Sequence, residues 1–453
     1  DQGEGAQSQL RFAHSRCRAP FRYGSPVENS NGAVAKLLGI AAVVGLLAGG
    51  GAVAFLAAEH QLQKTVWSDI PQSLGGTPGW YIFVVLIAGA AGVFLATKLP
   101  GHGGHRPLDG LGFNIGPKEI TSVVVAALVS LTVGAVVGPE APLMAVGSAL
   151  GGFIAMRAPE PARKVLMVAG SAAAITMILG NPMISAVLVL EGAVLKGSPG
   201  GKKVMLAALP VLIAMGFGYL VQVGVGDWSG VGQSQLAVPG LPVYETVQVA
   251  DLGWALVVAL AVAILAVLAV EAGTAFQDRI SSTLVKLLIG GTIVAAAAVI
   301  TRAITGEGVD TILFSGQEAM TTVLGLTSVS VLIVIGIAKT IAYSVSLGAG
   351  FRGGMVFPSV YLGVVIATAA DLMLDGVNLS AMVATGIAAA VAGVMRLPFT
   401  AVLLALLLCS GAGLAVTTPA IIGAVVGVLV RAAADARLAK DEAQPAGEPL
   451  TAG

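Results

Sequence analysis

The stretch 135-AVVGPEAPLMAVGSALGG-152 decides how this chain is read. Glu140 is the only charged residue between Glu119 and Arg157, and it stands between Pro139 and Pro142 in a run of small and apolar residues. Gly138 and Pro139 stop any preceding helix. Proline is tolerated in the first turn of a new one, where its missing N–H would be unpaired anyway. The spacing therefore predicts a helix starting near Glu140 and running to about Gly152. The N–H groups of a first turn lack intrahelical partners and carry partial positive charge. Such an end suits an anion. Glu140 can fill it as a tethered anion, a mobile anion can compete for the same seat, and protonation of the carboxylate vacates it. A first-turn glutamate at the membrane interface is the plainer reading of this one residue.

The depth of that carboxylate follows from composition. The chain has 453 residues, of which 56% are hydrophobic and 11% charged, and its mean hydropathy is +0.91. Soluble domains carry about 25% charged residues, so the bulk of this chain must face lipid. A carboxylate at membrane depth costs at least about 2.5 kcal/mol and needs pairing, hydration or a proton. The fold class is all-α, a polytopic membrane protein; the apolar runs are continuous rather than alternating, which argues against a transmembrane barrel. Zero formal net charge offers no basic face for nucleic acid. Cys17 lies in a polar tail and Cys409 in an apolar run, so a disulfide is not expected. The four histidines form no metal-ligand spacing, and His102 and His105, three apart in a glycine-rich loop, read as polar loop residues. No cofactor and no metal are expected.

Residues 1–35 form a polar tail in which Arg11, Arg16, Arg18 and Arg22 favour a cytoplasmic N-terminus, and no signal-peptide pattern is present. A membrane domain covers 36–432, and 433–453 is a short polar tail expected to fray. Crossing the hydrocarbon takes about 20 helical residues. The apolar runs at 141–156, 182–195 and 397–410 are shorter and are punctuated by Gly or Pro. Such segments enter the bilayer and stop inside it, buried by protein.

The longer connection at 225–250 divides the chain into two halves that echo one another, repeat 1 at about 79–224 and repeat 2 at about 251–432. In the first, 168-VAGSAAAITMIL-179 precedes 180-GNPMISAVLVLEG-192; in the second, 385-TGIAAAVAGVM-395 precedes 396-RLPFTAVLLALLL-408. Upstream of each lies a Gly/Pro element, 138-GPEAPLMAVGSALGG-152 and 353-GGMVFPSVYLGV-364. Interrupted segments at matching places in two halves point to a transport site near the membrane midplane. The stretch 348-GAGFRGGMVFPSVYLG-363 holds five glycines and Pro358, and 100-PGHGGHRPLDG-110 is a third glycine-rich loop. Backbone in such loops can approach a ligand closely and offer its N–H groups. The candidate anion-binding residues are Gly138 and Ala141 beside Glu140, then Gly354, Met355, Val356 and Phe357, then Gly101, His102 and Gly103. Arg106, Arg352 and Arg396 stand near these loops, as solvated loop ends or as charges that draw anions inward.

This ordered set resembles the CLC family of chloride channels and chloride/proton exchangers. The stretch 138-GPEAP-142 stands in place of the family's G(K/R)EGP motif with Glu140 as its gating glutamate, and 354-GMVFP-358, preceded by Lys339, resembles its GxFxP motif. The element 181-NPMISAVLVLE-191 resembles its Asn-x-Pro-x-x-Gly helix, and 101-GHGGHRP-107 stands where GSGIP is expected. The resemblance runs from about residue 36 to 432. It implies inverted-topology repeats, broken and tilted helices, a homodimer with one anion pathway per subunit, cytoplasmic termini in the cell membrane, and chloride as substrate. Three departures stand out. No serine occurs in 101–107, where His102 takes its place; the last tyrosine is Tyr361, so the final helix has none; and the exchangers' inner proton-handling glutamate falls on Gly192, with Glu191 one residue early. Glu191 is a possible proton carrier, or a buried or interfacial carboxylate. The resemblance therefore implies anion transport through a glutamate-gated path, channel-like or weakly proton-coupled, with chloride/proton exchange as the alternative. A rival class is a cation-coupled transporter of a small organic anion, which also uses broken helices. An intramembrane enzyme is not supported: there is no Gly-x-Ser-x-Gly, no paired helical aspartate and no histidine-rich metal set.

Overall fold

Hydrocarbon cannot hydrogen-bond a peptide, so a chain this apolar satisfies its backbone within helices. The computed structural model describes residues 31–110, 115–195, 201–225 and 236–443; the expectations for 1–30, for Cys17 and for 444–453 fall outside them. In chain order the α-helices are α1 (Asn31–Lys64), α2 (Ile70–Ser73), α3 (Gly79–Ala96), α4 (Ile120–Thr132), α5 (Glu140–Ile154), α6 (Glu160–Leu179), α7 (Pro182–Leu195) and α8 (Gly201–Val225). There follow α9 (Val249–Arg279), α10 (Thr283–Thr305), α11 (Met320–Leu324), α12 (Val329–Ala349), α13 (Val356–Met373), α14 (Leu379–Met395), α15 (Pro398–Leu408) and α16 (Thr417–Ala443). Among the described residues, nine helical segments are long and apolar enough to cross a membrane, while α4, α5, α7, α14 and α15 are shorter. The three short segments expected from Gly/Pro placement are α5, α7 and α15.

The two halves superpose in sequence at a constant offset. Gly138 and Gly354 form an antiparallel bridge, and 354 − 138 is 216. The same step relates the left-handed residues Gly134 (φ 86°) and Gly350 (φ 89°), and Gly180 (φ 64°) and Arg396 (φ 61°). It relates Pro182, which opens α7, to Pro398, which opens α15. Packing obeys it too. Gly147 of α5 lies so close to Gly170 of α6 that a Cβ on either would strike the other's carbonyl, and Gly363 and Gly386 do the same between α13 and α14. Small residues at a crossing let backbones approach, which is how helices pack where lipid supplies no hydrophobic drive. The repeat frame reaches further back than residue 79: α1 packs against α6 and α8 as α9 packs against α14 and α16.

Two serines lock the halves together reciprocally. Ser130 Oγ accepts from the Arg352 N–H at 2.8 Å, and Ser346 Oγ accepts from the Val136 N–H at 3.1 Å. Ser130 and Ser346, like Val136 and Arg352, are 216 apart. The loops between α4 and α5 and between α12 and α13 are buried. Loops at that depth must have their polar groups met, and each half meets those of the other.

The end of the membrane domain differs from expectation. Rather than fraying from 433, α16 continues through Ala443. Arg431 pairs with Glu271 of α9 and with Asp435, each at 2.8 Å, and Arg396 reaches Asp435 at 2.8 Å. These ties hold the polar part of the helix against the repeat.

Candidate functional site

The sequence places Glu140 at the first residue of α5, and the repeat bridge carries it to the start of α13. The N–H of Gly138 donates to the carbonyl of Gly354 at 2.9 Å, and the N–H of Gly354 donates back at 2.6 Å. The Glu140 side chain is 1% exposed. Its Oε1 accepts from the Phe357 N–H at 2.8 Å, in the first turn of α13, while Oε2 has no hydrogen-bond partner among the described residues. The carboxylate therefore occupies the positive end of the other repeat's helix. A Cβ on Gly138 or Gly354 would overlap the carboxylate, so glycine at both places is what lets it sit there. Met355, the residue before α13, is held by the buried Tyr343, whose hydroxyl donates to the Met355 carbonyl at 2.9 Å.

A cavity lies on either side of this carboxylate. One, of about 610 Å³, is lined by Val137 and Pro139 together with Glu59, His60, Gln63, Asp310, Gln317 and Glu318. Glu59 to Gln63 sit at the C-terminal end of α1, on the face of the molecule opposite residue 31. The other, of about 40 Å³, is lined by Ala141, Pro142, Gly354 and Met355 together with Gly103, His105, Arg106 and Arg352. It opens near the C-terminal end of α3, on the face where α1 begins. The first mouth carries carboxylates, the second carries arginines.

Of the three glycine-rich loops, two meet at Glu140 through the Gly138–Gly354 bridge, where the Phe357 amide reaches the carboxylate, and the third does not. In 101–107 the N–H groups of His102 and Gly104 donate to Leu99 and Gly101 carbonyls, and that of Gly103 donates to Ser122 Oγ at 3.3 Å. His102 has a left-handed backbone (φ 51°); its ring is exposed, its Nδ1 lies 3.2 Å from the Thr97 carbonyl, and it lines neither cavity. Besides lining the smaller cavity, this loop offers the His102 carbonyl, which accepts from Arg352 Nη2 at 3.0 Å. Arg352 is 7% exposed, so it is not a solvated loop end. Arg396 is, with half its side chain exposed and paired to Asp435.

Glu191 lies elsewhere. Its Oε1 accepts from the Phe399 N–H at 2.8 Å, and its Oε2 accepts from the Thr400 N–H at 2.7 Å and from Thr400 Oγ1 at 2.5 Å. It caps the start of α15 and lines neither cavity. Lys339 is fully buried and donates from Nζ to the carbonyls of Ile312, Leu313 and Phe314, each at 3.0 Å, with Nζ 4.6 Å above the Tyr361 ring. It thereby pins the segment that walls the larger cavity. Tyr343, Ser130 and Ser346 escape a reading of the sequence, since buried hydroxyls on apolar helices carry no local signal.

The comparisons agree with this geometry. The family model described as voltage gated chloride channel matches residues 101–432, and the chain belongs to that family, the CLC proteins. A protein of Escherichia fergusonii named for ion transport, YfeO, is 27% identical over 318 residues, which is 67% of this chain and 72% of the relative. A relative of the same name in Escherichia coli O7:K1 matches over the same lengths. Among solved structures, a slow cyanobacterial Cl⁻/H⁺ antiporter matches with a TM-score of 0.73 at 18% identity, covering 90% of this chain and 98% of that one. A CLC-type fluoride/proton antiporter matches with a TM-score of 0.64 at 16% identity, covering 89% and 97%. At these identities the structural matches establish the fold. Val356 stands at the phenylalanine place of the family's GxFxP motif, with Phe357 one residue later. The group used here is the Phe357 amide, which any residue but proline supplies.

Proposed function

We propose that the chain carries small anions, chloride first among them, across the cell membrane between the arginine-lined and carboxylate-lined cavities, with Glu140 as the movable barrier. The supporting observation is the carboxylate itself, buried, held by one amide of α13 and flanked by a cavity on each side. An anion arriving at the first turn of α13 meets the same partial positive charge that holds Glu140. Protonation removes the charge that keeps the side chain there, so lower pH frees the path. The cytoplasmic side is the one where α1 begins, following the arginines of the N-terminal tail, and two chains form a homodimer with one path each.

Transport is channel-like or weakly proton-coupled. Among the described residues no Asp or Glu lines the smaller cavity, and Glu191, the nearest replacement for the inner glutamate of exchangers, has both oxygens engaged at α15. Among the described residues, a proton leaving Glu140 into that cavity meets no carboxylate in its lining. The test is simultaneous recording of chloride and proton movement from proteoliposomes. Chloride efflux with little or no stoichiometric proton uptake is expected. Chloride driven uphill by a pH gradient alone would establish exchange instead, and sodium-dependent uptake of an organic acid without chloride flux would establish the rival transporter class.

A further inference from the structure

We propose that Arg352 forms an anion-binding site in the smaller cavity, holding a small monovalent anion through its Nε and Nη1 before that anion reaches the end of α13. The proposal rests on the anion-transport reading. It starts from a buried charge with no ion-pair partner, on which Asp109 acts only from a distance. Arg352 is 7% exposed, and among the described residues no carboxylate pairs with it. Its Nη2 is spent on the His102 carbonyl at 3.0 Å, while Nε and Nη1 are buried without partners. Leaving an ion uncompensated in a protein interior costs several kcal/mol, and buried polar groups without partners are few and call for a ligand or water.

The guanidinium is also fixed. The Arg352 N–H donates to Ser130 Oγ at 2.8 Å, and Gly350 behind it takes a φ of 89°, so the loop that carries it is defined by the repeat contacts. The cavity it faces measures about 40 Å³ and is lined by Gly354, Met355 and Ala141 from the Glu140 side and by Arg106 from the other. One water-sized sphere takes about 10–15 Å³ on this measure, so the space admits a small anion with a water or two. Asp109, the acid nearest in sequence to this wall, has its Oδ2 on the Arg106 N–H at 2.9 Å. No serine occurs in 101–107, and the Arg352 charge stands against that loop, on the His102 carbonyl. Because Glu140 occupies the α13 end in the resting chain, Arg352 marks the position an anion fills first from this side.

The test uses the purified full-length protein in detergent with chloride replaced stepwise by gluconate. Chloride raises the melting temperature of the wild type saturably, as any ligand of the folded state does. In Arg352→Gln the chloride concentration giving half the shift rises by at least about tenfold, the scale set by removing one partner of a buried charge-assisted contact, whatever happens to melting in gluconate. A monodisperse Arg352→Gln with wild-type chloride response overturns the proposal. If that variant does not fold, bromide-soaked crystals of the wild type decide it. Anomalous density within hydrogen-bonding distance of the Arg352 guanidinium is expected, and bromide bound only elsewhere overturns it. A wild type with neither chloride response nor chloride flux rejects the transport reading itself, a different failure.

Discussion

Gly138 and Gly354 exchange both of their backbone hydrogen bonds, at 2.9 and 2.6 Å, across the pseudo-symmetry of the two repeats. Two helices that start inside the protein are thereby joined at their first residues, and Glu140 is delivered to the start of α13 rather than to its own helix.

Alanine at Gly354 puts a Cβ where the Glu140 carboxylate lies. Crowding of this kind costs about 1–3 kcal/mol unless something moves, and the carboxylate is the group free to move. Gly354→Ala is expected to raise anion flux at neutral pH and flatten its pH response while the protein still elutes as a single folded species. Proteoliposome efflux at two pH values measures it.

Ser130→Ala leaves the buried Arg352 amide unpaired, and Ser346→Ala leaves the Val136 amide unpaired. Each orphaned donor costs about 1–3 kcal/mol. The symmetry predicts similar drops in melting temperature for the two variants, read by the same thermal assay. A large loss in one and none in the other would show the halves to be unequal.

Lys339→Met strips one donor group from three carbonyls at once. With each unmet acceptor worth about 1–3 kcal/mol, it should be the most damaging single change outside the pathway. Limited proteolysis is expected to cut within 309–316 in this variant and not in the wild type.

Glu191→Ala removes both acceptors at the start of α15. The loss expected is about 0.5–2 kcal/mol, the range for a helix cap, with the ratio of protons to chloride moved left unchanged. A changed ratio in a folded Glu191→Ala would make this residue a proton carrier after all.

How much of this was visible in the sequence depends on the range of the interaction. Breaks made by Gly138–Pro139, Pro182 and Pro398 are local backbone chemistry, and the starts of α5, α7 and α15 follow from them within a residue or two. The lone charge at 140 stood out as a candidate because its cost at membrane depth follows from composition. Contacts across the repeats left no local trace. Glu191 binds amides 208 and 209 residues away, and Arg352 touches His102 at a separation of 250. A sequence pattern put Arg352 in a loop but could not say that the loop is buried. Likewise α16 runs past 432, where Arg431 meets Glu271 on another helix, and the amides of His102, Gly103 and Gly104 are spent on Leu99, Ser122 and Gly101.

The most direct measurement is chloride efflux from proteoliposomes as a function of pH for the wild type and for Glu140→Gln. A neutral amide keeps the size of the side chain and loses the charge that α13 holds and a proton can remove. Wild-type efflux should rise as pH falls, and Glu140→Gln should be fast and nearly flat across the same range. Efflux from Glu140→Gln with the rate and pH dependence of the wild type would take Glu140 out of the pathway.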